Sequence, residues 1–192
     1  MHTYSLSRAY SPLIVTRNLI VAPLTEELVF RAVMTPTLYA HYVTSAGVTA
    51  AAAALGHTDI WLVLILTPAF FAIAHVHHMY EKLRDGTPTS RATIETLVQA
   101  TYTYIFGFIS MVLLTRTSNL AASLLSHVIC NFMGLPDISF MRPLTSLQPG
   151  QYSYLYKYRY ILLLLHASGL ALFSVLLFPL TSSLTGRSPY WN

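Results

Sequence analysis

The chain has 192 residues, of which 54% are hydrophobic and 9% charged, with a mean hydropathy of +0.53 and a formal net charge of +4. A soluble globular domain carries about 25% charged residues, so this balance excludes that class and points to a polytopic membrane protein. No basic run or aromatic–basic interleaving supports nucleic-acid binding. The single cysteine, Cys130, excludes an intrachain disulfide framework and any zinc site of cysteine spacing.

The opening MHTYSLSRAYSPLIVTRN is polar and Tyr/Ser-rich rather than a cleavable signal, so membrane insertion is expected to rely on the spans themselves. Five apolar segments follow in chain order. The first, Asn18 to Ala40, is interrupted by Pro23 and Pro36 and carries two adjacent acids, Glu26 and Glu27. The second runs from Ile60 to Met79, the third from Ala92 to Thr115, the fourth from Ser118 to Leu135 and the fifth from Tyr160 to Leu180. A span needs about 20 residues, so the first is marginal by its prolines and the fourth by its length. The Ala-rich stretch Ala46 to Gly56 has the composition of a further short or interfacial helix. There is no internal repeat and no soluble domain. The expected fold is all-α: a single polytopic transmembrane helical bundle over residues 1–192, with about five spans.

The loops give an orientation. If five spans alternate, Arg8, Arg17, Lys82, Arg84, Arg91, Arg142, Lys157 and Arg159 share one side, and Arg116 and Arg187 the other. Eight against two is a positive-inside bias that places the N-terminus and the Glu81–Arg91 loop in the cytosol.

Ionisable groups inside a membrane are costly and are therefore functional candidates. Glu95 and His166 lie near span ends or alone, and read as snorkelling or locally hydrogen-bonded. The others fall at helical spacing. Glu27 and Arg31 are four apart and can form an ion pair, which frees Glu26 to face something else. Phe71 and His75 are four apart, as are His127 and Asn131. On the topology above, Glu26, His75, His127 and Asn131 reach one level, in the cytosolic half of the membrane.

The motifs EELVFR, FAIAH and HVICN, in this order, resemble the EExxxR, FxxxH and HxxxN patterns of the CAAX protease and bacteriocin-processing family. Flanking stretches such as APLTEELVFR, AHVHHMYEKLR and SHVICNFMGLPD are similar to its eukaryotic branch, the type II CAAX prenyl endopeptidases. The resemblance covers a core of residues 18–137. Family members carry further spans before the EE motif, so upstream spans are expected to be missing from the short segment that precedes Glu26 here. The resemblance implies an endopeptidase of the endoplasmic reticulum membrane, with its site opening to the cytosol. Its substrates would be prenylated CaaX proteins such as Ras-like small GTPases, held in the lipid by their anchor, and it would remove the aaX tripeptide.

The residues suit that chemistry. Glu26 is the candidate general base, with His75 helping to hold and deprotonate the water. His127 and Asn131 are candidate donors to the oxyanion, and Glu27 with Arg31 a structural support. No metal or other cofactor is required by this set. Glu26, His75 and His127 could alternatively act as a Glu/His/His zinc site, with His77 and His78 as spare ligands. Outside proteolysis, the same buried groups could serve a transporter's proton relay, or the protein could bind prenylated tails without cutting them. Phe71 reads as core packing, and His77 and His78 as interfacial.

Overall fold

The computed structural model describes residues 11–45, 60–134, 156–185 and 188–191. The Ala46–Gly56 stretch falls outside them. Every regular element among the described residues is helical.

The first helix, α1 (12–45), is continuous but not uniformly wound. Ser11 caps it through its side chain, with Pro12 at the first helical position. Two stretches, Arg17–Val21 and Leu28–Met34, are widened into π-helical turns, in which Ala22 N–H reaches Arg17 O and Thr35 N–H reaches Phe30 O. Each widened stretch lies just before a proline, Pro23 or Pro36. A proline ring collides with the carbonyl four residues back and has no N–H to give, and a wider turn accommodates both defects. The sequence breaks expected at these prolines are therefore wide turns within one helix.

The other helices are α2 (Ile60–Ala74), α3 (His77–Arg84), α4 (Thr89–Thr117), α5 (Leu120–Met133) and α6 (Arg159–Thr185). A turn at His75 and Val76 separates α2 from α3 without ending the apolar run. Between α4 and α5 the reversal is tight. Ser118 adopts φ 50°, and the Asn119 side chain accepts from Ala121 N–H at 2.9 Å.

Three helical stretches are long and apolar enough to cross a membrane: Ile60–Arg84, Thr89–Thr117 and Arg159–Ser182. The two segments that read as marginal do not meet that description. The first carries Glu26, Glu27 and Arg31 within one window. The fourth, α5, has 14 residues, about 21 Å of helix. All five apolar segments are nonetheless helical, and the bundle is all-α.

Helices α2 and α4 form the main interface, with α1 and α5 packed beside them. Gly107 allows the close approach of α4 to α2: a Cβ there would lie 3.2 Å from both the Phe71 ring and Pro68. The apolar core (Ile60, Val63, Leu64, Met111 and Val112) lies toward one end of the bundle. Residues 188–191 close over that end. Tyr39 Oη donates to Pro189 O at 3.0 Å, Trp191 packs edge-on to Trp61, and Ser188 Oγ donates to Thr115 O. Arg116, expected in a loop, is buried there against the Phe178 carbonyl (3.0 Å), the Thr181 hydroxyl and the Phe178 and Trp191 rings. Helix α6 otherwise exposes its apolar surface, as a lipid-facing span does.

Candidate active site

At the other end of the core, α1, α2, α4 and α5 bring together Glu26, Glu27, Arg31, Phe71 and His127, with His75 against Phe71 and Asn131 apart from them. Glu27 and Arg31 are both fully buried, and Arg31 Nη1 lies 3.3 Å from Glu27 Oε1. A buried charge pair is tolerable only if its other valences are largely met; those of Glu27 are, whereas Arg31 Nε has no hydrogen-bond partner among the described residues. Arg31 Nη2 points to Gly107 O at 3.5 Å, and its guanidinium lies 4.3 Å from the centroid of Phe71 and 5.9 Å from that of Phe106. Phe71 is therefore core packing, as expected, and also a face for the cation.

Both oxygens of Glu27 are occupied. Ser123 Oγ donates to Oε2, Ser110 Oγ reaches the same oxygen at 3.2 Å, and the two hydroxyls touch each other. His127 Nδ1 lies 2.8 Å from Oε1. A carboxylate with these partners is an anchor with no free valence for a substrate. Ser110 and Ser123 were not among the expected site residues. Their signal in the sequence is faint: Ser123 lies four positions before His127, on the same helix face, Ser110 has no such marker, and small hydroxyl residues are common between membrane helices.

Glu26, the neighbouring acid, faces differently. It is partly exposed, and its Oε2 lies 3.6 Å from His127 Nε2. The imidazole of His127 thus bridges the two glutamates, with Nδ1–H donated to Glu27 and Nε2 turned toward Glu26. His75 Nδ1 donates to Phe71 O at 2.8 Å, which fixes its proton and leaves Nε2 as an acceptor. Its ring packs T-shaped against Phe71 at 4.9 Å between centroids, as that of His127 does at 6.1 Å. One phenyl ring therefore contacts both imidazoles and the arginine.

Asn131 shares a helix with His127 but not its surroundings. It is exposed, and its amide donates to Asn18 O at 3.0 Å. In the widened turn at Arg17–Val21 the donor to Asn18 O would be residue 23, a proline without an N–H. Asn131 fills that vacancy and ties the start of α1 to the end of α5.

Among the described residues, the ligand atoms gathered within 4.8 Å of one another belong to His77, His78 and Glu81, not to Glu26, His75 and His127. Glu95 and His166 have local partners: Glu95 meets Lys82 at 3.2 Å and Arg91 at 2.8 Å, and His166 Nδ1 donates to Leu162 O at 2.7 Å.

Comparison with known proteins agrees with these motifs. Residues 8–133 match the family model for type II CAAX prenyl endopeptidase Rce1-like proteins. The chain is 41% identical to CAAX prenyl protease 2 of Arabidopsis thaliana over 123 residues, 64% of this chain and 35% of that protein. It is 36% identical to CAAX prenyl protease 2 of Homo sapiens over 166 residues, covering 86% and 42%. A third relative, probable CAAX prenyl protease 2 of Schizosaccharomyces pombe, is 34% identical over 135 residues, covering 69% and 44%. The chain thus spans between 35% and 44% of the length of these relatives. No solved structure matches it significantly. The glutamate pair, the FxxxH histidine and the HxxxN helix all fall within the matched region, and the chain belongs to the type II CAAX prenyl endopeptidase, Rce1-like family.

Proposed function

We propose that the protein is an intramembrane endopeptidase that removes the aaX tripeptide from prenylated CaaX proteins, Ras-like small GTPases among them. The observation that carries this reading is the unequal treatment of two adjacent glutamates: Glu27 is saturated with partners, while Glu26 is partly open beside His127. A base must be reachable by water and substrate, and an anchor need not be.

In this reading Glu26, assisted by the free Nε2 of His75, takes a proton from water as the water oxygen attacks the carbonyl carbon of the prenylated cysteine. The C–N bond then breaks, the proton passes to the leaving amine, and the products are a prenyl-cysteine carboxylate and the tripeptide. His127, its Nδ1–H held by Glu27, donates to the oxyanion through Nε2–H in its imidazolium form. Asn131 gives one amide hydrogen to Asn18 O and has a second for the substrate. Removing a donor of this kind costs about a hundredfold or more in rate. The reaction needs no metal on this account.

The substrate's lipid would lie against the bundle and its C-terminus at the membrane surface. Among the described residues, Arg17, Lys82, Arg84, Arg91, Lys157 and Arg159 lie at the end nearer His75 and Asn131, with Arg116 at the other. That distribution supports a site opening to the cytosol, and the family's eukaryotic branch supports the endoplasmic reticulum as its membrane.

The test is incubation of the detergent-purified protein with a farnesylated CaaX peptide, with products read by mass spectrometry. Release of the intact aaX tripeptide is expected. Binding of the peptide without cleavage would replace the peptidase with a prenyl-tail-binding protein, and neither binding nor cleavage would reject both.

A further inference from the structure

Helix α3 starts immediately after the His75–Val76 turn, and its first residues are two histidines with an acid one turn on: His77, His78 and Glu81. One ligand atom from each lies within 4.8 Å of the others. The two imidazoles stand side by side, with centroids 4.0 Å apart. Hydrogen bonds also orient both rings. His77 Nδ1 donates to Ala74 O at 2.7 Å, a carbonyl near the helix break, and this leaves its Nε2 lone pair outward. Histidines that bind metals usually give their other N–H to a backbone carbonyl or a carboxylate in this way. His78 Nδ1 lies 2.8 Å from Glu81 Oε2.

Lys82 and Arg91 both pair with Glu95 rather than with Glu81. Arg17, on α1, is within electrostatic range of Glu81. All three ligand residues are at least partly exposed, at the end of the stretch that also carries Lys82 and Arg84.

We propose that His77, His78 and Glu81 form a binding site for a borderline divalent cation such as zinc, with two imidazole nitrogens, one carboxylate oxygen and a position open to water. The site shares no ligand with the peptidase residues and does not depend on that reading. Its ring contact with His75, 6.0 Å from His78 between centroids, places the cation beside the helix break rather than at Glu26.

The test is calorimetric titration of the detergent-solubilised full chain, chelator-treated and purified without a histidine tag, with zinc chloride. Cobalt(II) absorption serves as a second, spectroscopic readout. One equivalent is expected, with binding weakened about tenfold or more in both His77→Ala and Glu81→Gln and unchanged in Glu26→Gln. Absence of zinc binding would overturn the proposal, as would binding that survives both rim substitutions. Binding lost in Glu26→Gln and kept in the rim variants would overturn it in favour of a metal at the peptidase site.

Discussion

His127 Nδ1 stands 2.8 Å from Oε1 of Glu27, so the second glutamate of the pair sets the orientation of an imidazole a hundred residues later. Glu27 also holds Arg31 and two serine hydroxyls, and it therefore joins α1 to α4 and α5 at one buried point. The two glutamates should differ accordingly. Glu27→Ala leaves Arg31 buried without its countercharge, a loss of about 3–5 kcal/mol. Glu26→Ala should change thermal stability in detergent far less, because that side chain is partly exposed. Equal destabilisation by the two changes would contradict the assignment of anchor and base.

The ion pair itself should show coupling. In a double-mutant cycle on Glu27→Gln and Arg31→Met, each single change strands a buried polar or charged partner, and the double change removes both. The expected interaction is about 1 kcal/mol or more, measured as detergent stability. Simple additivity would mean that the two side chains do not depend on each other.

How far the sequence reaches can be judged residue by residue. The apolar segments and the Glu27–Arg31 spacing were legible because helical period and hydropathy are local properties. That α1 continues through Pro23 and Pro36 was not, since a proline announces a defect without saying how the chain absorbs it. The link between Glu27 and His127 was also hidden. The sequence offered Arg31 as a nearby partner, and nothing local shows that one carboxylate takes partners from three helices. Asn131 shows the same limit: its spacing from His127 places both on one helix face, but its amide answers to the carbonyl freed by Pro23. Arg116 was counted as a loop charge, and only the closure of residues 188–191 over the bundle reveals it as buried.

Close helix contact at Gly107 gives a further expectation. A methyl group there would press on Phe71 and on the Pro68 backbone, with contacts of 3.2–3.3 Å. Gly107→Ala should destabilise by about 1–3 kcal/mol and disturb the ring beneath Arg31. Gly169→Ala, on α6 with open space around it, is the control and should be neutral or mildly stabilising. A neutral Gly107→Ala would show that α2 and α4 are further apart than described.

Orientation can be read chemically. In a Cys130→Ser background, a cysteine at Thr87, between α3 and α4, should react with an impermeant maleimide from the cytosolic side of sealed vesicles only. A cysteine at Asn119, between α4 and α5, should be protected from that side. Labelling of Thr87→Cys from the lumenal side alone would reverse the orientation inferred from the basic residues.

The most direct measurement is the cleavage rate of a farnesylated CaaX peptide by Glu26→Gln beside wild type, both verified as folded by thermal melting and both treated with chelator. A general base contributes about a hundredfold to ten-thousandfold. The expected result is a loss of that size in Glu26→Gln, with wild-type activity retained after chelation. A Glu26→Gln rate within a few-fold of wild type would contradict the central role given to this glutamate.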